Sequence, residues 1–373
     1  MESMIPVNTP LLDGNEGRYL QECIDTGWIS SEGPFVGRFE EQFSKTVQRK
    51  HGIACANGSG ALDIAVAAAG IGPGDEVIMP TFTIISPAAS VVRSGATPVL
   101  VDSDPVTWNM NVGQIEARIT PKTKAILVVH IYGLPVDMDP ILETAQRHGL
   151  LVIEDAAEMH GQTYRDSPCG SFGDLSTFSF YPNKHITTGE GGMVVTHDDQ
   201  LADRCRSFRN LCFQPERRFV HEELGWNYRM TNMQAALGLA QLEQLDKHIQ
   251  RKRQIGALYQ MHLGELHGLQ LPLPSTDYAD NIYWVFGLTV EEHATFDMTH
   301  IVDHLKSQSI GTRPFFWPMH QQPVFIKRGL FTNESHPVAE HLGRNGFYVP
   351  SGLGLTDRDI QVVSSQLVSA IQS

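Results

Sequence analysis

Short apolar runs with the length of β-strands alternate with helical stretches through roughly the first two-thirds of this 373-residue chain. This rhythm predicts an α/β fold, with a mostly parallel sheet that is covered by helices on both faces. The strand-like runs are residues 51–55, 76–80, 97–102, 125–130 and 150–153, and helical stretches include residues 86–94 and 139–148.

The chain is longer than one hydrophobic core usually serves, so two domains are expected. Thr231 and Asn232 begin a helical pattern that passes Leu245 and continues towards Tyr259, as one long connecting helix would. Beyond it, residues 281–290, 298–309 and 360–371 indicate an α+β region. We therefore predict a large α/β domain at residues 1–245 and a small C-terminal α+β domain at residues 246–373.

Charge and cysteine content exclude several classes of protein. The formal net charge of −14 argues against a nucleic-acid partner. Five cysteines without a C-x-x-C pair indicate reduced thiols rather than a disulfide framework or a metal site. The N-terminus has no signal-peptide pattern, and no apolar run approaches the ~20 residues that span a bilayer. A cytoplasmic protein without membrane insertion is expected.

A lysine in an unusual setting follows a strand-like aromatic run. Lys184 lies in a polar turn after Phe178–Tyr181 and before the glycine-rich residues 189–192. Such a confined amine would have a depressed pKa and could act as a nucleophile or base, as a Schiff-base lysine does. Taken alone, this run also fits a structural lysine.

A carboxylate comes at the end of another strand-like run. Residues 150–153 are apolar and lead into Asp155 and Glu158. Open α/β sheets bind ligands at the carboxyl ends of their strands. Pyridoxal phosphate needs an acidic partner for its pyridine nitrogen, and Asp155 is the candidate. The alternative is an ordinary helix N-cap, which is also common after a strand.

A small-residue turn opens the first alanine-rich helix. Residues 56–62, with Gly58 and Ser59, precede the helical pattern 63–69. Small residues at a helix N-terminus let backbone N–H groups approach a phosphate. No Lys-Ser/Thr pair follows, and the pattern is not G-x-G-x-x-G, so neither a P-loop nor a dinucleotide fingerprint is present.

These motifs together resemble the DegT/DnrJ/EryC1/StrS family of sugar aminotransferases over nearly the whole chain. The resemblance rests on NGSGAL, PTFTIIS, GATPVLVD, VHIYG, VIEDAAE, FSFYPNKHITTGEGG and NYRMTNMQAALGLAQL, in that order. It implies the aspartate aminotransferase-like fold of pyridoxal phosphate enzymes (fold type I), with a seven-stranded sheet. Residues 12–16, 27–31 and 217–219 are most similar to the members that make GDP-perosamine for surface polysaccharides (O-antigen).

The resemblance implies roles for individual residues. Lys184 would carry the cofactor and move the proton, Asp155 would pair with the pyridine nitrogen, and Glu158 would lie near the ring hydroxyl or the incoming amine. Gly58, Ser59 and Ser179 would bind the phosphate, and Asn227 would reach it from the neighbouring subunit of a homodimer with shared active sites. The segment 1–35 would contribute to these sites. Sequence alone favours the alternative, in which Asn227 is an ordinary loop residue before a helix.

The cofactor face and the substrate contacts are less fixed by sequence. Ile84 stands where many family members have an aromatic residue that stacks on the cofactor ring, so weaker retention of the cofactor is expected. Trp28 and Ser30 are candidates from the partner subunit, and Arg313, Trp317 and His320 from the C-terminal region. A hydrophobic loop is the alternative for the latter group. His185, which also fits a packing residue, and Arg229 complete the substrate candidates, and no metal site is expected.

The predicted reaction moves the amino group of L-glutamate to a nucleotide-linked 4-keto-6-deoxyhexose. GDP-4-keto-6-deoxymannose is favoured by the subgroup resemblance, and UDP- or dTDP-linked 4-keto sugars or a 3-keto sugar are alternatives. A sugar dehydratase of the same fold also remains open. A regulator without activity would be expected to lack Lys184 or Asp155. A nicotinamide oxidoreductase is disfavoured because the glycines at 70–74 follow a helix rather than open one.

Overall fold

A computed structural model describes residues 4–214 and 216–372. In this part of the chain the α-helices are α1 Glu16–Thr26, α2 Pro34–Thr46, α3 Gly58–Ala68, α4 Ile85–Arg93, α5 Met138–His148, α6 Asp199–Arg209, α7 Asn232–Leu242, α8 Leu245–Leu263, α9 Met298–Ser307, α10 Pro323–Ile326, α11 Pro337–Asn345 and α12 Asp357–Gln372. The strands are β1 His51–Cys55, β2 Glu76–Pro80, β3 Thr97–Val101, β4 Thr123–Val129, β5 Leu151–Asp155, β6 Thr163–Tyr164, β7 Ser167–Pro168, β8 Leu175–Ser179, β9 Gly192–Thr196, β10 Leu269–Gln270, β11 Phe286–Val290, β12 Arg313–Pro314 and β13 Gly346–Val349.

A seven-stranded sheet forms the centre of the fold, in the order β1-β9-β8-β5-β4-β2-β3. Strand β9 pairs antiparallel with both β1 and β8, and the remaining pairs are parallel. Successive residues of each strand face two different hydrophobic clusters, as Ile78 and Met79 do in β2. The sheet is therefore buried on both faces, which confirms the predicted α/β class.

The C-terminal region has its own small sheet and core. Strands β10, β11, β13 and β12 pair antiparallel in that order. Helices α9 and α12 pack on each other, and α12 also packs on α8, around a third hydrophobic cluster. At the other end of the chain, Ile5 forms a parallel bridge with Ile310, so the first described residues pack with this region. The boundary at residue 245 stays a prediction.

The predicted long helix is wrong in one respect, because two helices, α7 and α8, replace it. The break falls at Glu243 and Gln244. The Glu243 carboxylate accepts hydrogen bonds from Tyr19 Oη and Asn15 Nδ2, both at 2.6 Å, so it is bound to the segment around α1. Tertiary contacts of this kind override helical periodicity.

The described residues include no helix that is both long and apolar enough to cross a membrane. All five cysteines are buried free thiols. Burial raises the pKa of Cys55 and of Cys205 to about 12, which keeps both protonated at neutral pH.

Candidate active site

A cavity of about 800 Å³ lies at the carboxyl ends of the parallel strands. Asp155 at the end of β5 and Ser179 at the end of β8 line it, together with residues from the segments that follow β1, β2 and β4. Open α/β sheets collect ligands at this edge because the strand ends and helix N-termini meet there. The cavity brings Gly58, Ser59, Ile84, Asp155, Glu158, Ser179 and Lys184 together.

Lys184 lies in a turn that its own backbone helps to close, because its N–H donates to the Tyr181 carbonyl at 2.9 Å. Its Nζ is 3.8 Å from Glu158 Oε1 and 3.7 Å from the centroid of the Trp284 ring. Burial lowers the pKa of Lys184, and the carboxylates of Glu158 and Asp155 oppose that shift. An amine with a lowered pKa has a larger neutral, nucleophilic fraction at neutral pH.

The two carboxyl groups beside the lysine are strongly desolvated. Burial raises the pKa of Asp155 to about 6, although Lys184 and a hydrogen bond from the Ala157 N–H at 3.1 Å favour the ionised form. Burial likewise raises the pKa of Glu158 to about 8, against a 2.7 Å hydrogen bond from the Tyr132 N–H. Desolvated carboxyl groups of this kind are suited to a cationic ligand group, which would favour their ionised forms.

The N-terminus of α3 forms one wall of the cavity. Asn57 caps the helix, since its Oδ1 accepts the Gly60 N–H at 2.8 Å. A Cβ at Gly58 would lie 2.7 Å from Ser179 Cβ, so only glycine allows this approach. Ser59 Oγ is 2.7 Å from Ser86 Oγ. The hydroxyl groups of Ser59, Ser86 and Ser179 and the first backbone N–H groups of α3 are suited to a phosphate.

Among the buried polar atoms on the cavity wall, Thr83 Oγ1 and Asn183 Oδ1 have no partner in the described chain. Buried polar groups are nearly always hydrogen-bonded in proteins, so these atoms are available to a bound molecule. Ile84, whose side chain is 46% exposed, presents an aliphatic surface to the same space.

A histidine directly after β4 also lines the cavity. His130 Nδ1 accepts the Val136 N–H at 3.0 Å, so its Nε2 carries the proton and donates to Glu154 Oε1 at 3.0 Å. Burial opposes ionisation of Glu154, but His130 and backbone N–H donors lower its pKa. Cys169 lies close enough to complete a metal-binding group. The Glu154 oxygens, however, already accept hydrogen bonds from Gly170, Phe172, Ser176 and His130.

Sequence reasoning missed much of the aromatic wall of the cavity. Trp284, Phe316 and Tyr348 come from the C-terminal region, and Tyr228 follows α6. A signal existed for Phe316, which lies in the aromatic run 313–320. Trp284 and Tyr348 reach the cavity only through tertiary packing, which no local motif reports.

Eight predicted residues do not line this cavity, and the first four are Asn227, Arg229, Trp28 and Ser30. Asn227 is exposed in a bridge with Asn210. Arg229 lines a second cavity of about 500 Å³. The carbonyls of Trp28 and Ser30 accept hydrogen bonds from Asn232 at the start of α7. The contributions of Asn227, Trp28 and Ser30 to a partner subunit's site, and of Arg229 to substrate binding, stay predictions.

The C-terminal substrate candidates and His185 also lie outside the lining of the cavity. His185 has no exposed surface, and its role in substrate binding stays a prediction. His320 is 4% exposed and forms hydrogen bonds with Thr81 Oγ1 at 2.8 Å and with Glu340 Oε1 at 3.2 Å. It therefore joins the C-terminal region to the segment that follows β2. Arg313 is exposed on β12 opposite Tyr348, and Trp317 is 43% exposed beside Phe316. Neither of these two lines the cavity itself.

Comparison with known proteins agrees with this geometry. Residues 10–368 match the DegT/DnrJ/EryC1/StrS aminotransferase family. The chain is 47% identical to GDP-perosamine synthase of Caulobacter vibrioides, covering 97% of both proteins, and 44% identical to that of Escherichia coli O157:H7, covering 95% of both. S. venezuelae DesV, solved with a ketimine intermediate, superposes with a TM-score of 0.88 at 33% identity, covering 96% of this chain and 95% of DesV. The chain therefore belongs to the DegT/DnrJ/EryC1/StrS aminotransferase family.

Proposed function

We propose that this aminotransferase uses pyridoxal phosphate to move the amino group of L-glutamate to GDP-4-keto-6-deoxymannose, giving GDP-perosamine. The observation that carries the chemistry is the Lys184 amine, which lies 3.8 Å from Glu158 on a side chain that is only 10% exposed, in a cavity that also contains Asp155. The choice of sugar nucleotide follows the GDP-perosamine synthases, which are 44% and 47% identical over nearly the full chain.

The residues of the cavity fit pyridoxal phosphate. The α3 N-terminus with Ser59 and Ser179 suits the phosphate, and desolvated Asp155 suits a protonated pyridine nitrogen. Thr83 and Asn183 offer polar atoms without partners. When bound, the cofactor would supply an electrophilic carbonyl and an electron sink for the amino transfer.

The side chains would divide the work of the reaction. Lys184, with its lowered pKa, would bind the cofactor covalently and later carry a proton to or from the reacting carbon. Asp155 would hold the pyridine nitrogen in its protonated form. Glu158 would orient the incoming amine, and Trp284 would exclude water from the Lys184 side of the cavity.

A second copy of the chain would complete each site. Asn227, Arg229, Trp28 and Ser30 lie away from the described cavity, as residues acting in a neighbour's site would. Large apolar side chains are exposed in the same two segments of the chain: Trp28, Ile29, Phe219 and Leu224. Exposed apolar groups of this kind are typical of interfaces.

Subunit mixing tests the shared site. Lys184→Ala and Asn227→Ala homodimers are each expected to transfer amines poorly, because each lacks one part of both sites. In a mixed dimer, the subunit that keeps Lys184 receives Asn227 from its neighbour. Random mixing should therefore restore about a quarter of wild-type activity, since half of the dimers carry one complete site. Mixtures that stay as inactive as their components would contradict sharing.

The substrate is tested by offering GDP-, dTDP- and UDP-linked 4-keto-6-deoxyhexoses separately, with L-glutamate and pyridoxal phosphate. Mass spectrometry should find the amino sugar and 2-oxoglutarate in equal amounts, with the highest kcat/KM for the GDP sugar. A preferred dTDP or UDP sugar would overturn the choice of nucleotide. Loss of water from the sugar without nitrogen transfer would instead indicate a dehydratase.

The cytoplasmic location stays a prediction, with which the five free thiols agree.

A further inference from the structure

Lys252 is a buried cation that lies outside the cavity lining. It belongs to α8 and is 2% exposed. Its Nζ donates hydrogen bonds to the carbonyl oxygens of Trp284 at 2.7 Å and of Ser351 at 2.6 Å. Burial lowers the pKa of Lys252 to about 7, and the charge of Lys184 adds to that shift. A buried ammonium bound to neutral carbonyls is costly, so its position calls for a reason.

Trp284 connects Lys252 to the reactive amine. The Trp284 indole N–H donates to the carbonyl of Asn183, the residue before Lys184, at 2.8 Å. The same indole lies with its centroid 3.7 Å from Lys184 Nζ, which is a cation–π distance. The Tyr132 ring stacks with the Trp284 indole, and the two ring centroids are 6.0 Å apart. One side chain thus holds both the turn and the amine of Lys184.

Helix α8 supports the lysine turn at further points. His248 Nδ1 bonds the carbonyl of His185, the residue after Lys184, at 2.8 Å. One helical turn beyond Lys252, Gly256 packs so closely on Tyr283 that an added Cβ would lie 2.2 Å from its ring. Helix α8 therefore contacts the Lys184 turn through His248, and it contacts the 283–284 segment through Lys252 and Gly256.

We propose that Lys252 is a positioning residue, which holds the Trp284 indole against Lys184 by binding the Trp284 and Ser351 carbonyls together. The inference rests on the proposed function only for the reaction that Lys184 performs, because the contacts exist in the chain itself. Without Lys252, two buried carbonyls would lose their donor, and the 284 segment would shift to regain one. The indole would then leave the amine more exposed and less precisely placed.

The test compares Lys252→Met with Lys247→Met, a matched substitution at an exposed position of the same helix. The cofactor-free full-length proteins are treated with acetic anhydride at pH 8, and acetylation of the Lys184 peptide is followed by mass spectrometry. We expect acetylation of Lys184 to be about threefold or more faster in Lys252→Met, and unchanged in Lys247→Met. In amino transfer, kcat should fall about 10-fold in Lys252→Met, while the KM for the sugar changes little.

A double-mutant cycle shows whether Lys252 acts through Trp284. In a Trp284→Phe background, Lys252→Met should have much less additional effect on Lys184 acetylation and on kcat, because both changes disrupt the same contact. The proposal would be overturned if Lys184 were acetylated in Lys252→Met at the wild-type rate. It would also be overturned if the effects of Lys252→Met and Trp284→Phe were independent, so that their fold-changes multiplied in the double variant. If Lys252→Met does not fold, Lys252→Gln, which keeps N–H donors without the charge, replaces it. If Lys252→Met changes the acetylation rate of Lys184 but the wild-type protein does not transfer amino groups, the proposed function is overturned and the positioning role of Lys252 stands.

Discussion

Replacing Lys184 with alanine is expected to reduce amino transfer by about 10³-fold or more. The substitution removes the amine that would hold the cofactor and the only group here assigned to move the proton, and positioned proton transfer alone contributes ~10²–10⁴-fold. The measurement is the rate of 2-oxoglutarate formation with the sugar acceptor present.

Lys247→Ala is the matched control, since Lys247 is an exposed lysine paired with Asp13 at 2.6 Å. Surface ion pairs contribute little, so this variant should unfold and react as the wild type does. Added methylamine, a small external amine, should partly restore the Lys184→Ala rate if the missing group is the proton carrier. A Lys184→Ala protein that reacts at nearly the wild-type rate would refute the assignment.

Replacing Asp155 with asparagine is expected to stabilise the cofactor-free protein at neutral pH and to impair the reaction. Burial raises the pKa of Asp155 to about 6 from its ordinary value of 3.8. Below pH 3.8 the carboxyl is protonated in the folded and unfolded states alike. Between pH 3.8 and about 6 the carboxyl ionises in the unfolded state but stays protonated in the folded state, so the folded state has lost on the order of 3 kcal/mol of stability once the pH is above 6. Asparagine cannot ionise, so it avoids that loss.

Thermal unfolding of the cofactor-free wild type and Asp155→Asn tests whether the substitution raises or lowers stability. Asp155→Asn should melt a few degrees above the wild type at pH 8, and the gap should narrow as the pH falls to 5. With cofactor and substrates, the same variant should react on the order of 10²–10³-fold more slowly, because it loses the charge opposite the pyridine nitrogen. An unchanged melting gap between pH 8 and pH 5 would show that Asp155 is not the titrating group.

The sequence predicted the large sheet well because its strands are locally encoded. The runs at 51–55 and 76–80 become β1 and β2 with the predicted bounds, and Asp155 falls at a strand end as expected. The Lys184 turn and the α3 N-terminus were also identified, since each depends on a short contiguous motif. Parallel strands then bring these motifs to one edge without further information.

Residues that depend on packing between distant segments were harder to predict. Trp284 lies 100 residues after Lys184, and it reaches the site only because its indole packs against the Lys184 amine. Lys252 holds that indole in place by binding the Trp284 carbonyl. The sequence leaves the role of His320 ambiguous, because an imidazole in an aromatic run suits a ligand and a buried hydrogen-bond partner equally. Its partners, Thr81 and Glu340, are known only from the fold.

The buried cysteines give this protein a set of internal reporters for its opening motions. Cys23 contacts Asn232 at the start of α7, Cys55 ends β1, and Cys169 lies near Glu154. A thiol reagent reaches each sulfur only when its surroundings open, and different regions open with different free energies. The order in which the cysteines are modified would therefore show which part of the molecule loosens first, without any engineered label.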